Sequence, residues 1–177
     1  MKKLLALVAF ALMSQPAFAE EAPKWSLAIH GGAGTLDPAQ MTPENLKQYK
    51  AVVLASTNNE IVDTDAQRDA LFGYVENGGG LLAIHSALAS ERQSARFRDL
   101  VGATFVTHPP NQVFDISIVD RSHPTVRSFP TNVWSGWKDE VYVCKMATNI
   151  HTIMTADLTK LTKAEPLIKK GFTIVPL

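Results

Sequence analysis

The chain has 177 residues, in which 17 Lys and Arg are balanced by 17 Asp and Glu, with five His and one Cys. That balance leaves no surplus of cations to neutralise phosphates, which excludes a sequence-independent nucleic-acid binder. A single cysteine excludes an internal disulfide framework and any multi-Cys zinc or iron–sulfur site, and 46% hydrophobic with 19% charged residues is the make-up of one globular domain with a real core.

Residues 1–19 read as a secretory leader. Lys2 and Lys3 precede an apolar run over 4–13, and Ala17-Phe18-Ala19 supplies a small-x-small cleavage pattern. The run is too short to span a bilayer, which takes about twenty residues. Cleavage after Ala19 is expected to leave a mature chain with two more acidic than basic groups, periplasmic or secreted and without membrane association.

Residues 25–29 (WSLAI) read as a short strand that runs into the glycine-rich turn His30-Gly31-Gly32-Ala33-Gly34. Thr42-Pro43-Glu44 has the form of a helix start, with a capping hydroxyl and proline in the first turn, for a short helix reaching Gln48. Residues 49–55 (YKAVVLA) form a buried-strand pattern. Asp63-Thr64 opens a helix with Ala66, Ala70, Leu71, Tyr74 and Val75 on one face, stopped by Gly78-Gly79-Gly80. Residues 81–84 form the next buried strand, and 92–101 the next helix, closed by Gly102. Residues 112–119 alternate, with Phe114, Ile116 and Ile118 opposite Val113, Asp115 and Ser117, as a strand with one wet face does. Residues 142–145 and 150–155 are further short strands. Strands interleaved with helices imply a three-layer α/β fold around a largely parallel sheet. In such a sheet, 26–29 is expected to pair parallel to 52–55.

Over 44–160 the chain resembles the trehalose-utilisation (ThuA-like) family. The resemblance runs through ENLKQYKAVVLAST, YVENGGGLLAIHSA, FRDLVGATFVTHPPNQ, IVDRSHPTVRSFP, KDEVY and IHTIMTAD, in the family's order. It implies a flavodoxin-like α/β sheet related to class I glutamine amidotransferases and a link to sugar metabolism. Residues 25–44 instead resemble the opening of isoaspartyl peptidases and plant-type asparaginases. Those enzymes use a Thr released at a later Gly-Thr bond, and Gly34-Thr35 is the only such pair here. The join near 42–46 suggests a fused N-terminus. The family's closing strand has no match in 163–177, which leaves open a sheet incomplete at both ends.

His85 follows strand 81–84 directly, and the carboxyl ends of strands form the ligand crevice of open α/β sheets. The resemblance implies that amidotransferases carry a cysteine nucleophile at this turn, whereas the residues here are Ile84-His85-Ser86-Ala87. Ser86 lacks the G-x-S-x-G elbow and reads as a capping or substrate-binding hydroxyl. His108 and His123 both precede proline, which holds the preceding residue extended and fixes its exit direction. His85, His108 and His123 are therefore the candidate acid–base residues, expected to share one site. Gln112, Asp120, Asp139, Glu140 and Tyr142 are candidate substrate-binding groups beside them. The three histidines are also the donors a divalent metal such as zinc would use. His151 reads as a structural residue within a strand and Cys144 as a packed thiol. Trp134 and Trp137 suit either stacking on a sugar ring or covering a sheet edge. The expected ligand is a small molecule or glycan, handled by hydrolase- or isomerase-like chemistry. A non-catalytic carbohydrate-binding domain and a non-functional fusion are the alternatives, with an asparaginase fragment more distant.

Overall fold

The computed structural model describes residues 40–177. The leader, the strand expected at 25–29 with its pairing to 52–55, and the turn at 30–34 lie outside the described residues. Helix α1 (Pro43–Leu46) starts as the sequence indicates, with the Thr42 hydroxyl accepting from the Asn45 N–H at 3.2 Å. Strand β1 (Ala51–Ala55) follows, then helix α2 (Asp65–Glu76). Thr64 and Gln67 form a reciprocal capping box at the start of α2, satisfying amides that the helix itself leaves unpaired. Past its end Gly78 adopts a left-handed φ of 97°, and a Cβ on Gly79 would lie 2.3 Å from the Tyr74 ring.

Strand β2 (Gly80–Ile84) returns parallel to β1, in a register running from Ala51 opposite Gly80 to Ala55 opposite Ile84. A 3₁₀ turn (His85–Ala89), helix α3 (Ala95–Val101) and strand β3 (Ala103–Thr107) come next. The chain continues as β4 (Gln112–Ile118), β5 (Val133–Asp139), β6 (Val143–Met146), β7 (Met154–Asp157), α4 (Glu165–Ile168) and β8 (Ile174–Pro176). Strand β3 pairs antiparallel with β6, and a four-stranded antiparallel sheet has the order β5-β4-β7-β8.

Among the described strands, β1 and β2 alone pair in parallel, extended by an isolated parallel bridge between Asn59 and Ser90, which corrects the expectation of a largely parallel sheet. Parallel neighbours need a long crossover, and α2 is the helix that provides one between paired strands. The wet face of β4 belongs with the antiparallel arrangement, because one side of such a sheet can stay solvated. Phe114, Ile116 and Ile118 are buried there and Val113 and Asp115 are exposed, as the alternation indicates. The segment 163–177 does supply a closing strand, β8, which pairs with β7. Strand 150–155 begins later than expected, at Met154, and His151 precedes it. No helix among the described residues is long and apolar enough to cross a membrane.

Two hydrophobic clusters hold these pieces. Leu46, Val52, Leu54, Leu71, Phe72 and Phe97 pack α1, α2 and α3 against β1 and β2. Phe114, Val141, Val143, Ala156, Leu158 and Val175 pack the antiparallel sheet against the segment carrying α4. Between the loops that follow β1 and β2 lies a buried carboxylate. Glu91, 3% exposed, accepts from the Ile61 N–H at 3.0 Å and from Arg68 Nε at 2.8 Å. Arg68 also pairs with Glu60 and Asp65 at the surface. Removing one member of a buried pair strands the other, which typically costs 3–5 kcal/mol. Arg68→Met is therefore expected to destabilise the fold by about 3 kcal/mol in urea denaturation. Glu91→Gln, which retains an acceptor for Ile61, should cost less; equal losses would contradict the stranded charge.

Candidate functional site

Strands β1 and β2 end at one level, and both end in strain. Ser56 and His85 are the residues after the last paired positions, and each has φ 54°. The left-handed region costs a side-chain-bearing residue on the order of 1 kcal/mol or more, and is kept where the surroundings enforce it. The Ser56 N–H donates to the Ile84 carbonyl at 3.1 Å, which locks the two strand ends side by side. Ser56 was not among the residues expected from the sequence; its position in register beside His85 is a tertiary fact with no local motif. Ser86 is half-buried in the 3₁₀ turn.

The turn delivers the His85 ring to Tyr142, whose hydroxyl lies 3.1 Å from His85 Nδ1. The other ring nitrogen, Nε2, lies 3.6 Å from Asp139 and 3.9 Å from Glu140. His108 approaches the opposite side, with Nε2 3.7 Å from Glu140 and its ring stacked 5.8 Å from that of Tyr142. Phe105 floors the group at 4.5 Å from Tyr142, with the Arg92 guanidinium over its far face. Tyr142 reaches the crevice because its neighbours Val141 and Val143 are buried in the core, and successive side chains along extended backbone point to opposite sides.

These contacts assign protons. A carbonyl only accepts, so His108 Nδ1, 2.8 Å from the Pro109 carbonyl, must carry a hydrogen. The neutral His108 ring then presents a bare Nε2 lone pair to the site. Two carboxylates beside His85 Nε2 favour the proton there, which leaves Nδ1 to accept from the Tyr142 hydroxyl. Burial first, then the Glu140 and Asp139 carboxylates, push the Tyr142 hydroxyl up to about 12, so it keeps its proton at neutral pH. Separations of 3.6–3.9 Å exceed direct hydrogen bonds, which leaves these groups capacity for a ligand oxygen.

Of the sequence candidates, His85, His108, Asp139, Glu140 and Tyr142 thus come together. His123 makes none of these contacts; its partners are Thr125 and His151. Its Nδ1 accepts from Thr125 N–H at 3.4 Å as the cap of a short 3₁₀ turn, Pro124–Val126, and its ring lies 6.0 Å from His151. Asp120 belongs to this second group. It accepts from the Ser122 hydroxyl and amide, which lower its carboxyl below the ordinary range, and it pairs with His151 at 2.8 Å. Gln112 is also removed from the ligand-binding set. Its amide donates to the Pro110 and Thr162 carbonyls and accepts from the Thr162 amide and hydroxyl, which uses its full hydrogen-bonding capacity to hold a loop. No three His, Cys, Asp or Glu side chains among the described residues are grouped to hold a metal ion, so His85, His108 and His123 do not assemble as a zinc set. Burial pushes the Cys144 thiol up to about 11, which keeps it from being a thiolate at neutral pH.

Comparison with known proteins follows the same outline. The sequence profile of a family described as ThuA, trehalose utilisation, matches residues 26–175. The chain superposes on a ThuA-like protein from Bacteroides uniformis with a TM-score of 0.59 and 24% identity, covering 81% of this chain and 58% of that one. A ThuA-like protein from Parabacteroides merdae gives a TM-score of 0.55 at 21% identity, covering 69% of this chain and 50% of the other. The chain thus spans little more than half the length of these relatives. The likeness gives it their α/β fold, a flavodoxin- and glutamine-amidotransferase-like architecture. No curated protein matches the chain significantly in sequence.

Tyr142 offers a direct check on the site. A phenol whose folded pKa lies above its ordinary value near 10 ionises more readily in the unfolded chain. The fold should therefore lose stability as pH rises from about 10 to about 12. Tyr142→Phe is expected to remove the slowest-ionising part of the phenolate absorbance and to flatten the fall in Tm over that range. An unchanged absorbance titration would contradict the buried, carboxylate-flanked hydroxyl.

Proposed function

The chain belongs to the ThuA, trehalose utilisation, family, and on that premise we propose that its site binds a carbohydrate and moves a proton on a sugar hydroxyl or carbonyl. The observation that carries this reading is the proton arrangement around Glu140. His108, with Nδ1–H spent on the Pro109 carbonyl, offers its Nε2 lone pair as a general base. Imidazole is suited to that task because it titrates near neutral pH. His85, hydrogen-bonded through Nδ1 to Tyr142, offers Nε2–H as a hydrogen-bond donor to the sugar oxygen, and the proton taken up by His108 is the one returned to the product. Glu140 lies within 4 Å of both rings and steadies the imidazolium formed when a proton arrives. Asp139 faces the same His85 Nε2 at 3.6 Å and helps orient the ring. The Tyr142 hydroxyl remains a hydrogen-bond donor, available to a developing negative oxygen.

Proton NMR of a panel of disaccharides and ketoses, incubated with the full-length protein in D₂O, tests the proposal. At least one sugar is expected to be cleaved or to take up deuterium at carbon. His108→Gln should slow that change by about 10²-fold or more, the usual loss when a general base is removed. A panel left both unbound and unchanged would overturn the reading, and binding without turnover would reduce the site to a receptor.

We also propose that this activity lies outside the cytoplasm, from the leader read at 1–19. Intact-mass measurement of periplasmic protein from an expressing bacterium should find a chain beginning at Glu20. Full-length protein confined to the cytoplasm would overturn it.

A further inference from the structure

Strand β5 carries a row of exposed aromatic rings that the acid–base group does not use. Trp134 and Trp137 are 39% and 38% exposed, with ring centroids 4.6 Å apart, and Phe129 lies 5.1 Å from Trp134. Trp137 follows Trp134 by three positions, so in a regular strand they would face opposite sides. A bulge prevents this. Trp137 pairs with Phe114 and Trp134 with Ile116, so β5 holds one residue more than β4 across the same interval. Gly136 takes a left-handed φ of 78°, and its N–H donates to Asp115 at 3.3 Å. The extra residue turns both indoles to one face, as bulges re-aim side chains beside functional sites.

That face leads to the acid–base group. Asp139 is two residues beyond Trp137, opposite Gln112, and so projects on the same side. At about 3.4 Å of rise per residue, Trp137 stands roughly 7 Å along the strand from Asp139, the residue that faces His85 Nε2. Before β5, Arg121 donates to the carbonyls of Val126, Phe129 and Thr131, which fixes the loop carrying Phe129. The aromatic row is therefore held in place and exposed, and its Trp137 end lies on the side of β5 that carries Asp139. The C–H faces of sugar rings pack against indole faces, and rigid aromatic side chains lose little conformational freedom in doing so.

We propose that Trp137 and Trp134, with Phe129 behind them, form a second sugar subsite, holding the neighbouring ring of a glycoside whose reacting ring lies at His85. This rests on the carbohydrate reading above and narrows it from sugars in general to a substrate of at least two rings. Two other features agree with it. Phe114, the cross-strand partner of Trp137, is buried and projects from the same face beside it, so the inner flank of the subsite is packed. The bulge also carries a left-handed glycine at the position where a side chain would be strained.

The probes are α,α-trehalose and glucose, titrated against the full-length protein by calorimetry. Trehalose is expected to bind more tightly than glucose. Trp137→Ala should weaken trehalose about 5- to 10-fold, the range expected for loss of one aromatic stack, with glucose affinity unchanged and the melting temperature retained. Trp137→Tyr, which keeps a ring face, should recover most of the loss. Equal binding of both sugars, with Trp137→Ala altering neither, would overturn the subsite while leaving the carbohydrate reading in place. Failure of both sugars to bind would overturn the subsite, and the sugar panel above would then decide whether the carbohydrate reading falls with it. Sedimentation completes the test: a wild-type dimer that Trp134→Ala and Trp137→Ala convert to monomer would identify the row as a contact between copies and overturn the subsite.

Discussion

A carboxylate cannot be left alone in a protein interior, and the way this chain satisfies Glu91 sets much of the rest. Its two oxygens hold the Ile61 amide on the loop after β1 and the Arg68 guanidinium on α2, while Glu91 itself follows the turn that carries His85. One side chain thus ties together the crossover helix and the loops at the carboxyl ends of two parallel strands. The Thr57 and Ser90 hydroxyls, buried and 2.9 Å apart, add a second tie between the same loops. Glu91 is itself left-handed, with φ 45°. Its side chain is needed where a glycine would be easier, and the same reasoning extends to His85, whose ring meets Tyr142. The strain at the strand ends is borne by packing and pairing a few ångströms away.

The antiparallel half contributes differently. Val141 and Val143 are sunk in its core, so the residue between them must face outward, and that residue is Tyr142. The Pro109 carbonyl fixes the His108 tautomer through a bond between adjacent residues. The crevice is therefore assembled from one strained turn on the parallel pair and one anchored segment on the antiparallel side. Neither half assembles the cluster alone: His85 comes from the first, while His108, Asp139, Glu140 and Tyr142 come from the second.

What the residues disclosed in advance follows from how local each signal is. The Thr42 and Thr64 caps, the glycine stop after α2 and the alternation of β4 are decided within a few positions, and they read correctly. His85 was legible because it ends an apolar run, and Asp139, Glu140 and Tyr142 because they form a dense polar motif. Strand β5 was not legible, because Ser135 and Gly136 interrupt its alternation at the bulge that organises it. The largely parallel sheet was inferred from interleaved strands and helices, but pairing direction depends on which strands become neighbours, and α3 and α4 do not link parallel neighbours. The Ser56 contact to Ile84 and the Gln112 contacts to Thr162 depend on partners 28 and 50 residues away. No local pattern encodes such contacts.

His123 shows how a correct local inference leads to a wrong tertiary one. Proline does fix its exit direction, but the ring turns back to cap the short turn that the proline begins, and its Nδ1 is committed to Thr125. The same loop is then closed by Arg121, whose guanidinium gathers three carbonyls from 126–131. A loop satisfied in this way keeps His123 beside His151 and Thr125. What it can do is carry Phe129 to the edge of β5, where that ring meets Trp134. The segment expected to supply a third catalytic imidazole therefore supplies a rigid apolar wall, and its chemistry passes from proton transfer to shape.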